Sequence, residues 1–139
     1  MEQRIRVLMT TMGLDGHDRG LRVVASALMN GGIEVIYTGH YQTPDQVSEV
    51  ALQEGVDAIG VSSMSYDHIL VPSLMDKLRE KKLDQVQVIV GGIVPEDDVR
   101  MLKNSGVAEV FPPGSKLNEI VIFFKETVAK SRLKYEEKI

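Results

Sequence analysis

Short β-branched runs alternate along the chain with segments in which apolar residues recur at helical spacing. Ile5 to Met9, Val35 to Tyr37, Ala58 to Val61, Val86 to Val90 and Ala108 to Phe111 read as strands. Between them, Leu21, Val24, Ala25 and Leu28 fall at i, i+3, i+4 and i+7. Val71, Leu74, Met75 and Leu78 repeat the spacing, as do Leu117, Ile120, Val121 and Phe124. Each set lines one face of a helix, the face that packs on a sheet. The punctuation agrees with the periods. Gly31-Gly32 stops the first helix, and Thr43-Pro44-Asp45-Gln46 starts the second with a cap, a proline at the first helical position and a reciprocal Gln. Pro95 followed by Glu96, Asp97 and Asp98 puts acidic residues on the positive end of the fourth. Strands and helices in strict alternation predict an α/β fold, a doubly wound five-stranded parallel sheet covered on both faces and joined by right-handed crossovers.

For five strands the expected order is the flavodoxin-like (Rossmann-like) 2-1-3-4-5, with ligands held beyond the carboxyl ends of the strands where the order reverses. A length of 139 residues with 43% hydrophobic content supports one core and one domain, 1–139. That core is expected over about residues 4–130, with the charged helix end 131–139 fraying. A formal charge of −4, with Lys and Arg spread along the chain, argues against nucleic acid as a partner. The absence of cysteine excludes a disulfide framework, a zinc ribbon, an iron–sulfur cluster and a thiol nucleophile. The polar start Met1-Glu2-Gln3-Arg4 and the lack of a membrane-length apolar run predict neither signal peptide nor spanning helix, hence no membrane and a cytoplasmic address.

The residues with chemistry gather at the predicted strand ends. After the first strand, Asp15-Gly16-His17-Asp18-Arg19-Gly20 combines a carboxylate, an imidazole and two glycines. Asp15, two residues from His17, can accept the hydrogen bond of one ring nitrogen and leave the other for a ligand or metal. Gly16 and Gly20 let backbone pass close to something bulky. Taken alone, the same residues make a turn with a surface histidine. The third strand ends in Ser62-Ser63-Met64-Ser65, hydroxyls that elsewhere are most often helix caps. The fourth ends in Gly91-Gly92, alone a plain turn, and the fifth in Phe111-Pro112-Pro113-Gly114-Ser115, with Ser115 a cap for the last helix. All four lie on one edge of the sheet, and that coincidence points to a ligand site.

The first loop fits D-x-H-x-x-G as Asp15, His17 and Gly20, a match expected by chance in roughly one per cent of chains this long. With Ser62-Ser63-Met64 in the place of an S-x-L element and Gly91-Gly92 as the glycine pair, the chain resembles the cobalamin-binding domain of adenosylcobalamin-dependent mutases. The resemblance runs from about Arg4 to Ala129 and is closest to the acyl-CoA mutases of the methylmalonyl-CoA and 2-hydroxyisobutyryl-CoA type, through Met12 to Gly20 and Gln42-Thr43-Pro44. It implies that His17 is the lower axial ligand of cobalt, replacing the cofactor's dimethylbenzimidazole, and that Asp15 orients it. It implies too that the displaced nucleotide tail enters a slot where Ser62 hydrogen-bonds the benzimidazole, Met64 packs on it and Gly91 with Gly92 leaves room. Gly20, Gly114 and Ser115 would line tail and corrin, beside Gly16, Asp18 and Arg19 of the same loop. Four places depart from the family pattern. Thr11 replaces a frequent Lys, Gly39-His40-Tyr41-Gln42 replaces Gly-Leu-His-Gln, Pro112 replaces a frequent Gly, and Ser65-Tyr66-Asp67-His68 replaces a small-residue stretch on a face open to a partner.

In such enzymes, the cofactor supplies the radical chemistry and a separate barrel domain holds the substrate. The resemblance therefore implies an isomerase small subunit that binds adenosylcobalamin, is inactive alone and works with a large TIM-barrel acyl-CoA-binding mutase subunit, with a GTPase chaperone as a further partner it allows. Two relatives built on the same domain are the small subunit of an amino-acid mutase such as glutamate mutase and a corrinoid carrier in methyl transfer. The Asp-Gly-His-Asp-Arg-Gly run favours the acyl-CoA group over the first. Against the second, a helical cap usually precedes the carrier's first strand, which here begins by Ile5. A receiver domain of the same fold needs an Asp closing the third strand, where this chain has Ser62.

Overall fold

The computed structural model describes residues 4–12, 19–39, 42–63 and 67–136. Along the chain run β1 (Arg6–Thr10), α1 (Arg19–Asn30), β2 (Glu34–Tyr37), α2 (Pro44–Glu54), β3 (Ala58–Ser63), a single 3-10 turn (Asp67–Leu70), α3 (Val71–Glu80), β4 (Gln87–Gly92), α4 (Glu96–Asn104), β5 (Glu109–Phe111) and α5 (Leu117–Glu136). The five strands form one parallel sheet in the order β2-β1-β3-β4-β5, as expected. The predicted punctuation holds as well. Thr43 Oγ1 accepts the Gln46 N–H at 3.2 Å while Gln46 Oε1 accepts the Thr43 N–H at 2.9 Å, closing the box at the start of α2.

Strand alternation divides the core between the two faces of the sheet. Leu8, Ile59, Val61, Val88 and Val90 meet α2, α3 and α4 through Val47, Ala51, Leu74, Leu78 and Leu102. Val7, Met9, Ala58 and Ile89 meet α1 and α5 through Leu21, Ala25, Leu28, Ile120, Phe124 and Val128. Each fully buried Leu, Ile or Phe contributes about 1.5–3 kcal/mol relative to exposure, so both helical layers are held by burial. β3 and β4 run beyond their expected ends, to Ser63 and Gly92, with Ser62 paired to Gly91 and Ser63 to Gly92. This extension carries the strand-end residues into the sheet itself.

The helix α5 runs on to Glu136, and polar groups tie its last turns to the segments that lead into the sheet. Ser131 Oγ donates to the Gln85 carbonyl at 2.9 Å, and Arg132 Nη2 reaches Asp57 Oδ2 at 3.0 Å. The same carboxylate oxygen accepts the Arg6 N–H at 2.9 Å, so Asp57 joins the start of β1 to the end of α5. Among the described residues no helix is long and apolar enough to cross a membrane. Replacing Asp57→Ala strips the acceptor from a half-buried backbone N–H and from Arg132 together. It is expected to cost about 1–2 kcal/mol, read as a lower urea midpoint with an unchanged slope.

Candidate functional site

At the carboxyl edge of the sheet, on the α1/α5 face, lies a groove of about 460 Å³. Its floor is Gly60, where a β-carbon would stand 2.5 Å from Met9 Sδ and 3.4 Å from Phe124 Cζ. Leu21, Val23 and Val24 of α1 form one wall, and Leu117, Ile120 and Phe124 of α5 the other. The strand ends contribute Ser62, Gly91, Gly92 and Ile93, and the turn after β5 contributes Pro112 to Ser115. Phe111 is held behind that turn by an edge-on contact with Phe123, with ring centroids 5.5 Å apart. No charged residue lines the groove among the described residues, and the hydroxyls of Ser62 and Ser115 are the polar side chains there. Such a surface fits a bulky, largely apolar group oriented by one or two hydrogen bonds.

The glycines of the groove have different reasons to be glycine. At Gly92, φ is +128° and an added β-carbon would fall on the Ser63 carbonyl, so the backbone forbids any side chain. Gly92 is glycine because β4 closes on the Ser63 backbone there, and its own backbone borders the groove. At Gly91, the nearest atom to a β-carbon would be the Phe111 carbonyl oxygen at 3.9 Å, and at Gly20 nothing lies within 4 Å. The fold tolerates a methyl at both positions, yet both border the groove. Their smallness keeps the groove open.

Six of the residues singled out from sequence meet here: Gly20, Ser62, Gly91, Gly92, Gly114 and Ser115. Arg19 opens α1. Asp15, Gly16, His17, Asp18 and Met64 lie outside the described residues, as do His40 and Tyr41. Ser115 was expected to cap α5, but its hydroxyl donates to the Pro112 carbonyl at 2.6 Å and closes the Pro-Pro-Gly turn, one residue too early to serve the helix that starts at Leu117. Thr11 Oγ1 is buried with no partner among the described residues, at the place where Lys is frequent in the resembling family. Sequence reasoning missed His68. It is wholly buried, with Nε2 2.8 Å from Asp98 Oδ2 and Nδ1 3.4 Å from Ser63 Oγ.

A doubly wound sheet with an apolar, hydroxyl-bearing groove at its carboxyl edge has the architecture of a ligand-binding α/β domain. The family model of the B12 binding domain matches residues 5–122, and the chain belongs to that family. It is 49% identical to the pivalyl-CoA mutase small subunit of Xanthobacter autotrophicus over 128 residues, covering 92% of this chain and 86% of the relative. It is 42% identical to the 2-hydroxyisobutanoyl-CoA mutase small subunit of Aquincola tertiaricarbonis, covering 84% and 89%. Against the methylmalonyl-CoA mutase large subunit of Streptomyces virginiae, identity is 41% over 81% of this chain and 16% of that one. Among solved structures, a cobalamin-binding protein from Desulfitobacterium hafniense superposes with a TM-score of 0.78 at 16% identity, over 90% of this chain and 60% of the other. A signal receiver domain from Vibrio parahaemolyticus superposes with 0.77 at 11% identity, over 99% of both. These two likenesses speak for the fold alone.

The two kinds of glycine separate by experiment. Gly20→Ala is expected to raise stability by up to about 1 kcal/mol through helix propensity, while weakening cobalamin binding. Gly92→Ala is expected to lower stability by several kcal/mol or prevent folding. Thermal melts of the free chain beside cobalamin titrations give both signs.

Proposed function

We propose that the chain is the cobalamin-carrying small subunit of an acyl-CoA mutase, an isomerase, and that the cofactor is adenosylcobalamin. The observation that carries this reading is the 49% identity to a mutase small subunit across 92% of the chain, joined to an apolar groove that such a cofactor's tail would fill. The residues present fit the group. Gly20 and Gly91 leave open the space their β-carbons would occupy, and Ser62 puts one hydroxyl on an otherwise apolar wall.

In this reading, His17 would ligate cobalt and Asp15 would orient its ring, with Gly16, Asp18 and Arg19 in the same loop. The nucleotide tail would occupy the groove, where Ser62 would hydrogen-bond the benzimidazole, Met64 would pack on it, and Gly114 and Ser115 would border its outer end. When bound, adenosylcobalamin supplies a weak cobalt–carbon bond as the source of a substrate radical. The protein's part is positional. The groove would remove the aromatic tail from water, and among the described residues its walls carry no charged side chain. The domain of residues 1–139 carries the cofactor. A large subunit with an acyl-CoA-binding TIM barrel carries the substrate, so the chain alone is inactive, and a GTPase chaperone is a further partner that the reading allows.

Mixing the purified chain with adenosylcobalamin is expected to shift the visible spectrum to the base-off, histidine-ligated form. An unchanged spectrum would sink the reading. His17→Ala should abolish the histidine-ligated signature with the circular dichroism unaltered. Acyl-CoA isomerisation should appear only when a large mutase subunit is added, and turnover by the chain alone would contradict the division of labour.

A further inference from the structure

The last residues of β3 and β4 present alternate faces. Ser62 and Gly91 front the groove, whereas the Ser63 side chain turns to the other face, toward His68. Directly behind the groove wall sits His68, in the 3-10 turn between β3 and α3 and 0% exposed. Its Nε2 meets the carboxylate of Asp98, in the first turn of α4, and its Nδ1 faces Ser63 Oγ. Asp98 offers only acceptor atoms, so Nε2 carries a proton, and in the neutral ring Nδ1 accepts from the Ser63 hydroxyl. One imidazole thus joins three pieces of chain: the end of β3, the turn that follows residues 64–66, and the start of α4. The Ile93 N–H closes the arrangement by donating to the Ser63 carbonyl at 3.0 Å.

A buried imidazole needs partners for its nitrogens, and the 2.8 Å bond to a carboxylate is the stronger of the two. Asp98 is the one part of this cluster that reaches solvent, its side chain being 38% exposed. Resting on the cobalamin reading above, we propose that His68 and Asp98 form a latch behind the groove, which sets the position of Ser62 and of the Gly91-Gly92 wall for the cofactor's tail. His68 is a positioning residue that acts through Ser63 and does not itself touch the ligand.

Asp97 supplies the control. It shares the first turn of α4 and its charge, but it is 91% exposed and paired with Arg100 at 2.8 Å. Asp97→Ala and Asp98→Ala therefore remove the same favourable charge from the helix end, and only the second cuts the bond to His68. Dissociation constants for adenosylcobalamin are measured by spectral titration well below the melting temperature, with folding of each variant checked by circular dichroism. Asp98→Ala is expected to bind about tenfold more weakly, the effect of losing one charge-assisted hydrogen bond. Asp97→Ala should bind like the wild type, and Asp98→Asn, which keeps an acceptor for Nε2–H, should recover most of the loss. In nitrogen-15 histidine spectra of the free protein, a slowly exchanging ring N–H should be present in the wild type and in Asp98→Asn and absent in Asp98→Ala. Equal affinity for the two alanine variants, or no rescue by Asp98→Asn, overturns the latch while leaving the cobalamin reading standing. No binding by the wild type overturns both.

Discussion

At the carboxyl edge of the sheet, the Ser63 carbonyl occupies the space where a β-carbon at position 92 would stand. That contact is the constraint on which the edge depends. With glycine there, β4 closes on β3 to the last residue, and the Ile93 N–H completes the approach. Strict alternation then has no freedom left: Ser62 and Gly91 must face α1 and α5, and Ser63 must face His68. The groove's polar anchor and the buried imidazole behind it are thus two sides of one pair of strand ends.

The same edge explains why so much apolar surface remains uncovered. Val23, Ile93 and Leu117 are 46%, 53% and 40% exposed, although each borders the groove. Burying apolar area yields roughly 25 cal/mol per Å², so a free chain that leaves these residues wet forgoes stability that an occupant restores. The two cores make this tolerable. Phe124, Leu8, Ile59 and Leu74 are sealed on both faces of the sheet, and the edge can stay open without loosening the layers beneath it.

Much of this was legible in the sequence, because the signals are local. β-Branched runs marked the strands, helical spacing marked α1, α3 and α5, and capping and proline signals marked α2 and α4. The capping box of α2 was readable because its four residues are contiguous, and the strand order followed from alternation and handedness. What escaped depends on distant partners. His68 and Asp98 are thirty residues apart, and Asp57 and Arg132 seventy-five, so nothing nearby marks either pair. The end of α5 looked like a charged helix losing its core, yet it is held by one carboxylate that also serves β1. Gly91 and Gly92 read alike as letters. Only the backbone separates a glycine that makes room from one that has no room.

Fold and chemistry part company in this architecture. A receiver domain superposes on this chain as well as a cobalamin-binding protein does, with TM-scores of 0.77 and 0.78, so the sheet and its helices do not choose between signalling and cofactor binding. The choice is made by what the strands carry at their carboxyl ends. A receiver requires a carboxylate closing the third strand, and this chain puts the hydroxyls of Ser62 and Ser63 there. A carboxylate at position 62 would place a charge on an apolar wall and face the cost of desolvation as an occupant closed over it. A hydroxyl at the same place can give or take one hydrogen bond and leave the rest of the surface to an aromatic ring. With a hydroxyl where a carboxylate would stand, this strand end offers the groove one hydrogen-bonding group on an apolar wall in place of a charge.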